Sequence, residues 1–396
     1  MSVVRKAIAS VVLDRGTSTA TVTRHDGVTS TLEFASPVFE ASSGVARVIY
    51  LPAEDSMRLV TVRGDEIIAE LPAFDDASPL RGRAVVYLDQ KDWSLLANTV
   101  HEPSRVAPAD RDAAHSFIAW VNYGRIVLPM SGAHMTETCK WANRDRRYRL
   151  ALTITRLSRG WQMRSPLAMR RHEFRRSLLA TLRGSDTEPV PAITLEPGAL
   201  HPPDMVIRSQ RFDGFPSDLG HALTAVTSVI GIFDTMLDAE ATIPGPIPGW
   251  VERQQAFTDW LEDQAAPRAQ QDRMIDEFFL SDAVGEIAQV LASEQIAPDE
   301  IRAWLGDQDG VVANMPSLGV FREVLRGKHL DSATTWESND LTDMMYLCCA
   351  AGYADHVVGE RATIAHIEQA ARRLGRTVSV HRRIRDLVPL LKAESG

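Results

Sequence analysis

Two short apolar runs, Val85-Val86-Tyr87-Leu88 and Ile126-Val127-Leu128, constrain this chain most. Each is too short for a helix, and neither alternates with polar residues. A run of this kind suits a strand covered on both faces, the situation of a parallel sheet. Parallel strands need long crossovers, and helical patterns follow both runs. Residues 91–99 and 110–123 come after the first, the latter with Ala113, Phe117, Trp120 and Val121 along one side. After the second, Pro129 closes the strand and Ser131 can cap a helix running through Glu137 to Ala142. A further helix is predicted at 148–159. The alternation returns near the end of the chain, with helices at 317–325 and 341–350, a strand at 356–358, a helix at 362–374, a strand at 377–380 and a helix at 382–391.

The flanking segments read differently. Residues 1–80 contain short Val-, Ile- and Thr-rich stretches (7–13, 20–24, 30–34, 47–51, 58–63 and 66–70), separated by turn signals such as Asp26-Gly27 and Arg63-Gly64-Asp65. They predict a small antiparallel β domain, followed by a linker at 75–79. Residues 187–220 are Pro-rich, and 219–306 are helical in pattern, with a break at 243–248 forced by three prolines and a glycine. The expected fold class is therefore α/β, with a β-rich domain over 1–80. A parallel-sheet domain covers 81–396 and is interrupted by an acidic, mainly helical insert at about 187–312.

Composition removes several classes of function. Hydrophobic residues make up 44% and charged residues 24% of 396, which excludes a disordered chain. No basic segment leading into an apolar run opens the sequence, so secretion is not expected. The charge-free stretch 219–233, about fifteen residues, falls short of the roughly 20 needed for a membrane span. Cys139, Cys348 and Cys349 form neither a disulfide framework nor a metal-site spacing, and read as packing residues. A reduced, cytoplasmic protein with no membrane partner is expected.

The net charge of −9 hides a segregation. Residues 140–183 hold 13 Lys and Arg against Asp145 and Glu173 alone, whereas 184–310 hold 6 basic and 23 acidic residues. A block as basic as the first suits a polyanion; it also suits a solvated face balanced by the acidic segment. Lys140, Trp141, Arg144, Arg146, Arg147 and Arg149 are the candidate nucleic-acid contacts, with Trp141 as a stacking ring. The acidic insert could contact a regulatory protein or a second copy of the chain, or cover the basic face.

Single acids mark the strand ends. Asp89 follows the first apolar run directly, Glu360 follows 356–358, and Asp355 precedes it. Glu137 lies on the helix after the second run. Asp340 and Asp343, three apart, share a face at the start of a helix. Taken one at a time, Asp340 could be a helix cap and Asp343 could compensate the helix dipole. Several carboxylates at the carboxyl edge of a parallel sheet, without accompanying His or Cys spacing, point instead to a hard cation, Mg²⁺ or Mn²⁺. Such ions activate water and stabilise the leaving oxygen of a phosphodiester. His134, three residues before Glu137, could position substrate or handle a proton; a local hydrogen bond is the plainer reading.

Three of these segments resemble the motifs of bacterial PIN-like nucleases. They are Val86-Tyr87-Leu88-Asp89-Gln90-Lys91-Asp92-Trp93, then Leu128-Pro129-Met130-Ser131-Gly132-Ala133-His134-Met135-Thr136-Glu137-Thr138, and finally Ser338-Asn339-Asp340-Leu341-Thr342-Asp343-Met344 followed by Tyr353 to Arg361. The resemblance covers about 83–170 and 313–391, and leaves out 1–80 and the insert. It implies a three-layer α/β/α sandwich whose acids bind Mg²⁺ or Mn²⁺. By that resemblance Asp89 is the first-strand acid, Glu137 the helix acid, Asp340 or Asp343 the third, and Asp355 or Glu360 the fourth. Gln90 is a possible auxiliary group, while Lys91 stands where the family commonly has Asn. The implied activity is a metal-dependent endonuclease, RNA favoured over DNA, as a toxin or phage-defence effector. The alternatives are a non-catalytic nucleic-acid-binding or regulatory protein of the same fold, and a protein-interaction module worked by the acidic segment.

Overall fold

A computed structural model describes residues 7–34, 39–54, 56–71, 79–185, 187–201, 217–241, 249–297, 299–306, 312, 315–331 and 333–394. Six strands open the chain: β1 (Ile8–Asp14), β2 (Thr19–Arg24), β3 (Thr29–Glu33), β4 (Val45–Leu51), β5 (Ser56–Thr61) and β6 (Glu66–Glu70). Then come β7 (Ala84–Leu88), α1 (Gln90–His101), α2 (Pro108–Asn122), β8 (Ile126–Val127), α3 (Gly132–Cys139) and α4 (Arg144–Ser158). β9 (Gln162–Met163), α5 (Pro166–Arg183), β10 (Ile193–Thr194) and α6 (Ser217–Leu237) lead into four helices: α7 (Trp250–Asp263), α8 (Arg268–Asp282), α9 (Val284–Ser293) and α10 (Ile301–Gly306). The chain closes with α11 (Pro316–His329), α12 (Asp340–Tyr353), β11 (His356–Val358), α13 (Arg361–Arg373), β12 (Val380–His381) and α14 (Ile384–Glu394).

The chain is mixed α/β. β1 to β6 form an antiparallel sheet in the order β3-β2-β1-β4-β5-β6, and β12-β11-β7-β8 form a parallel one. Two compact units emerge: Met1–Val85 with Gln90–Met163 and Ile193–Thr242, and Val86–Asp89 with Arg164–Ala192 and Ile243–Gly396. The linker expected at 75–79 falls outside the described residues except for Pro79, and so does the break at 243–248.

In the first unit the alternation expected of half-buried strands holds. Val11, Leu13, Val48, Tyr50, Met57, Leu59, Ile67 and Ala69 are buried, while all five residues of the edge strand β3 are exposed. Beyond the sheet, Glu70 accepts both ends of the Arg83 guanidinium, at 3.0 and 2.9 Å, and the Trp161 indole N–H at 3.0 Å. Tyr148 of α4 donates its hydroxyl to Asp65 at 2.8 Å. The apolar helix reaches further than the charge-free stretch suggested: Leu219–Leu237 spans 19 residues and is long and apolar enough to cross a membrane. However, 61% of it is buried inside the protein, where it packs on α3 and α4 as a core helix.

In the second unit α11 is the hub, packed against α12, α13 and α5. Its first turn is capped from a distance by Glu173 of α5, only 3% exposed. One oxygen accepts the Ser317 N–H and hydroxyl, both at 2.8 Å, and the Tyr353 hydroxyl at 2.6 Å; the other accepts the Leu318 N–H at 2.9 Å. Gly352 makes this approach possible, since a Cβ there would lie 2.7 Å from the Pro316 carbonyl carbon. Arg376 closes the same corner through the Met315 and Pro316 carbonyls. The acidic helices pack on the basic one: α9 and α10 lie against α5, with Arg170 near Glu286 at 3.3 Å and Arg175 paired to Glu294.

Candidate functional site

The second unit assembles its acids from strand ends and one helix start. Val86, Tyr87 and Leu88 of β7 pair in parallel with His356, Val357 and Val358 of β11. The Asp89 N–H then donates to the Val358 carbonyl at 2.9 Å, which fixes Asp89 at the carboxyl edge. One residue past the same edge of β11, Gly359 leads to Glu360, exposed at the start of α13 and making no side-chain cap bond to that helix. Asp340 and Asp343 occupy the first turn of α12.

Electrostatics ties these four together. The Asp343 carboxyl is pushed up to about 7, first by burial, then by the negative charges of Asp89, Glu360 and Asp340; the Lys328 ammonium works in the opposite sense. Asp340 differs from Asp343. One of its oxygens lies 2.9 Å from Lys328 Nζ, and the other accepts the Glu337 N–H at 2.7 Å. Of the two sequence candidates for the third acid, Asp340 is thus tied into the protein, while Asp343 is the one whose carboxyl is raised by its surroundings. For the fourth acid, Glu360 shares the Asp89 edge. Asp355 is exposed at the opposite, amino end of β11, three strand residues away from Gly359.

Glu137 belongs to the first unit, half-buried on α3. Beside it, His134 is 1% exposed, and its Nδ1 accepts the Ser131 N–H at 3.0 Å while Ser131 Oγ caps the His134 N–H. This is a reciprocal capping arrangement, with the ring edge-on to Trp93 at 5.8 Å. The local hydrogen bond is the reading that this geometry gives His134. Gln90 is buried and donates to Thr138 Oγ1 at 3.0 Å.

The basic candidates divide by exposure. Lys140, Trp141, Arg144 and Arg146 are exposed, and a phosphate could reach them. Arg147 is a correction: at 7% exposure it donates to the Leu237 carbonyl at 3.0 Å and the Trp141 carbonyl at 2.6 Å, so its guanidinium holds the interior and offers no outward face. Arg149 is paired to Glu102 at 2.7 Å. Neither engagement is legible in the residues alone, since Leu237 and Glu102 lie 90 and 47 residues away along the chain. Lys328 was missed for the same reason. Cys139, Cys348 and Cys349 are buried and unpaired, as packing residues are.

Among the described residues no group of three or more His, Cys, Asp or Glu is drawn together in metal-ligating geometry. The donor chemistry of the second unit nonetheless fits a hard cation. Its acids are all oxygen donors, and burial together with the charges of Asp89, Glu360 and Asp340 raises Asp343 despite Lys328. No protein-family model matches the chain, no curated protein matches it, and no solved structure matches it.

Proposed function

We propose that this chain is a metal-dependent nuclease of PIN-like fold that hydrolyses phosphodiester bonds, with RNA favoured over DNA. One observation carries the reading: Asp89 and Glu360 follow the carboxyl ends of two paired parallel strands, and their charges, with that of Asp340, add to burial in raising Asp343. That edge is where open α/β sheets bind ligands. Asp89, Asp343 and Glu360 of the second unit would hold Mg²⁺ or Mn²⁺. When bound, such an ion activates a water and stabilises the departing oxygen. Without an ion, burial and neighbouring charges raise Asp343 to about 7, so it would release its proton near neutrality on becoming a ligand. Exposed Lys140, Arg144 and Arg146 would follow the phosphate backbone, with Trp141 offering a ring to a base. On this reading the protein acts in the cytoplasm, and its acidic helices are the surface for a regulatory protein or a second copy of the chain.

Incubating the purified chain with labelled single- and double-stranded RNA and DNA, with and without Mn²⁺, tests this. Mn²⁺-dependent cleavage abolished by Asp89→Asn is expected. Binding of nucleic acid without cleavage at any Mn²⁺ concentration would leave the non-catalytic reading in its place.

A further inference from the structure

We propose that Lys328 is the resident counter-ion of the carboxylate cluster, a positioning residue that occupies Asp340 and restrains the site's affinity for a divalent cation. The inference rests on the metal-dependent reading above.

Lysine ordinarily sends its ammonium to solvent along a flexible stem. Lys328 does not: it is 8% exposed and fixed from two sides. Its Nζ lies 2.9 Å from Asp340 Oδ1 and 4.7 Å from the centre of the Trp336 ring. Trp336 is itself anchored, donating its indole N–H to Thr258 Oγ1 at 3.0 Å and meeting Trp250 edge-on at 5.4 Å. Lys328 stands in the last turn of α11, where the helix dipole favours a cation. The second oxygen of Asp340 is taken by the Glu337 N–H, so the pair is closed on the protein side.

Such a pair does two things to the cluster. It withdraws Asp340 from the acids that face an incoming ion, leaving Asp89, Asp343 and Glu360. It also fixes a positive charge beside the helical turn that carries Asp343, and like charges repel an arriving cation. A chain built only to bind metal tightly has no use for a buried ammonium there. A chain that must bind and release it does.

Calorimetric titration of the full chain with Mn²⁺ tests this. Lys328→Gln removes the charge yet keeps an amide donor for Asp340, Lys328→Met removes both, and Lys328→Arg keeps the charge. The Gln and Met variants should bind Mn²⁺ about tenfold more tightly or better, from loss of a like charge at close range, while the Arg variant matches the wild type. A purely structural lysine predicts equal or weaker binding, because disturbing a site does not improve it. If Lys328→Met fails to fold, judged by helical circular dichroism, Lys328→Gln decides alone. Wild-type binding with no gain in Lys328→Gln overturns this inference only. No Mn²⁺ binding by wild type or variants overturns the metal-dependent reading together with it.

Discussion

Asp343 contributes a pH dependence of its own to the second unit. Its carboxyl rises from the usual 3.8 to about 7, through burial first and then through Asp89, Glu360 and Asp340. Between those values the folded chain holds a proton that the unfolded chain has released, so this group lowers stability as pH rises through that window. Asp343→Asn should remove this contribution to the slope, leaving stability near pH 4 unchanged relative to wild type and raising it at pH 8 by about 1–4 kcal/mol. Denaturant unfolding at the two pH values measures this, and parallel curves for variant and wild type would contradict it. Much of this residue's setting was not legible in the sequence. The spacing of Asp340 and Asp343 put both on one helix face and could not distinguish them. The distinction comes from Lys328, which reaches Asp340 from another helix. Asp89 was easier, because an acid directly after a short apolar run has one place to be once that run is a parallel strand.

Among the elements, the strands and amphipathic helices were legible wherever periodicity decided them. The parallel pairing of β7 with β11 and β8, and the helices α1, α2 and α13, follow the expected segments to within a few residues. Helix α5 did not announce itself: its five arginines drew the reading toward charge and away from the buried Met169, Phe174, Leu178 and Leu179. Its Glu173 was counted only as an exception to a basic block, yet it caps α11 from inside the protein. Removing it leaves two backbone N–H groups and two hydroxyls without their buried acceptor. Glu173→Ala should therefore cost about 3 kcal/mol of stability, and Tyr353→Phe, which deletes one donor of the same network, about 1 kcal/mol. Urea titration of both variants checks the ranking; a Glu173→Ala variant as stable as wild type would remove the cap from this account.

Across the whole molecule, segregated charge turns out to serve packing as well as surface. Arg170 and Arg175 face Glu286 and Glu294, and Arg326 forks onto Asp276 while also bonding Glu323, all within the second unit. Part of the basic block is thereby committed, which a count of charges along the sequence cannot reveal. Of the candidate nucleic-acid contacts, the exposed cations are Lys140, Arg144 and Arg146. Replacing these three with Ala should weaken nucleic-acid binding and reduce its salt slope by about one unit per lost phosphate contact. Arg147→Ala should instead lower the unfolding temperature, because it leaves the Leu237 and Trp141 carbonyls without their donor. Filter binding across a salt series separates the two; equal salt slopes in the triple variant and the wild type would return the block to solvated surface.

The central claim is that the second unit's carboxylates bind a divalent cation through Asp89. A ligand that binds only the folded chain raises its unfolding temperature, so thermal unfolding with and without Mn²⁺ addresses the claim directly. Mn²⁺ should raise the unfolding temperature of the wild type. Asp89→Asn should unfold no earlier than the wild type without metal, since one repelling charge is gone, and should show no Mn²⁺ shift. A wild type indifferent to Mn²⁺, or an Asp89→Asn variant that shifts as far as the wild type, would contradict it.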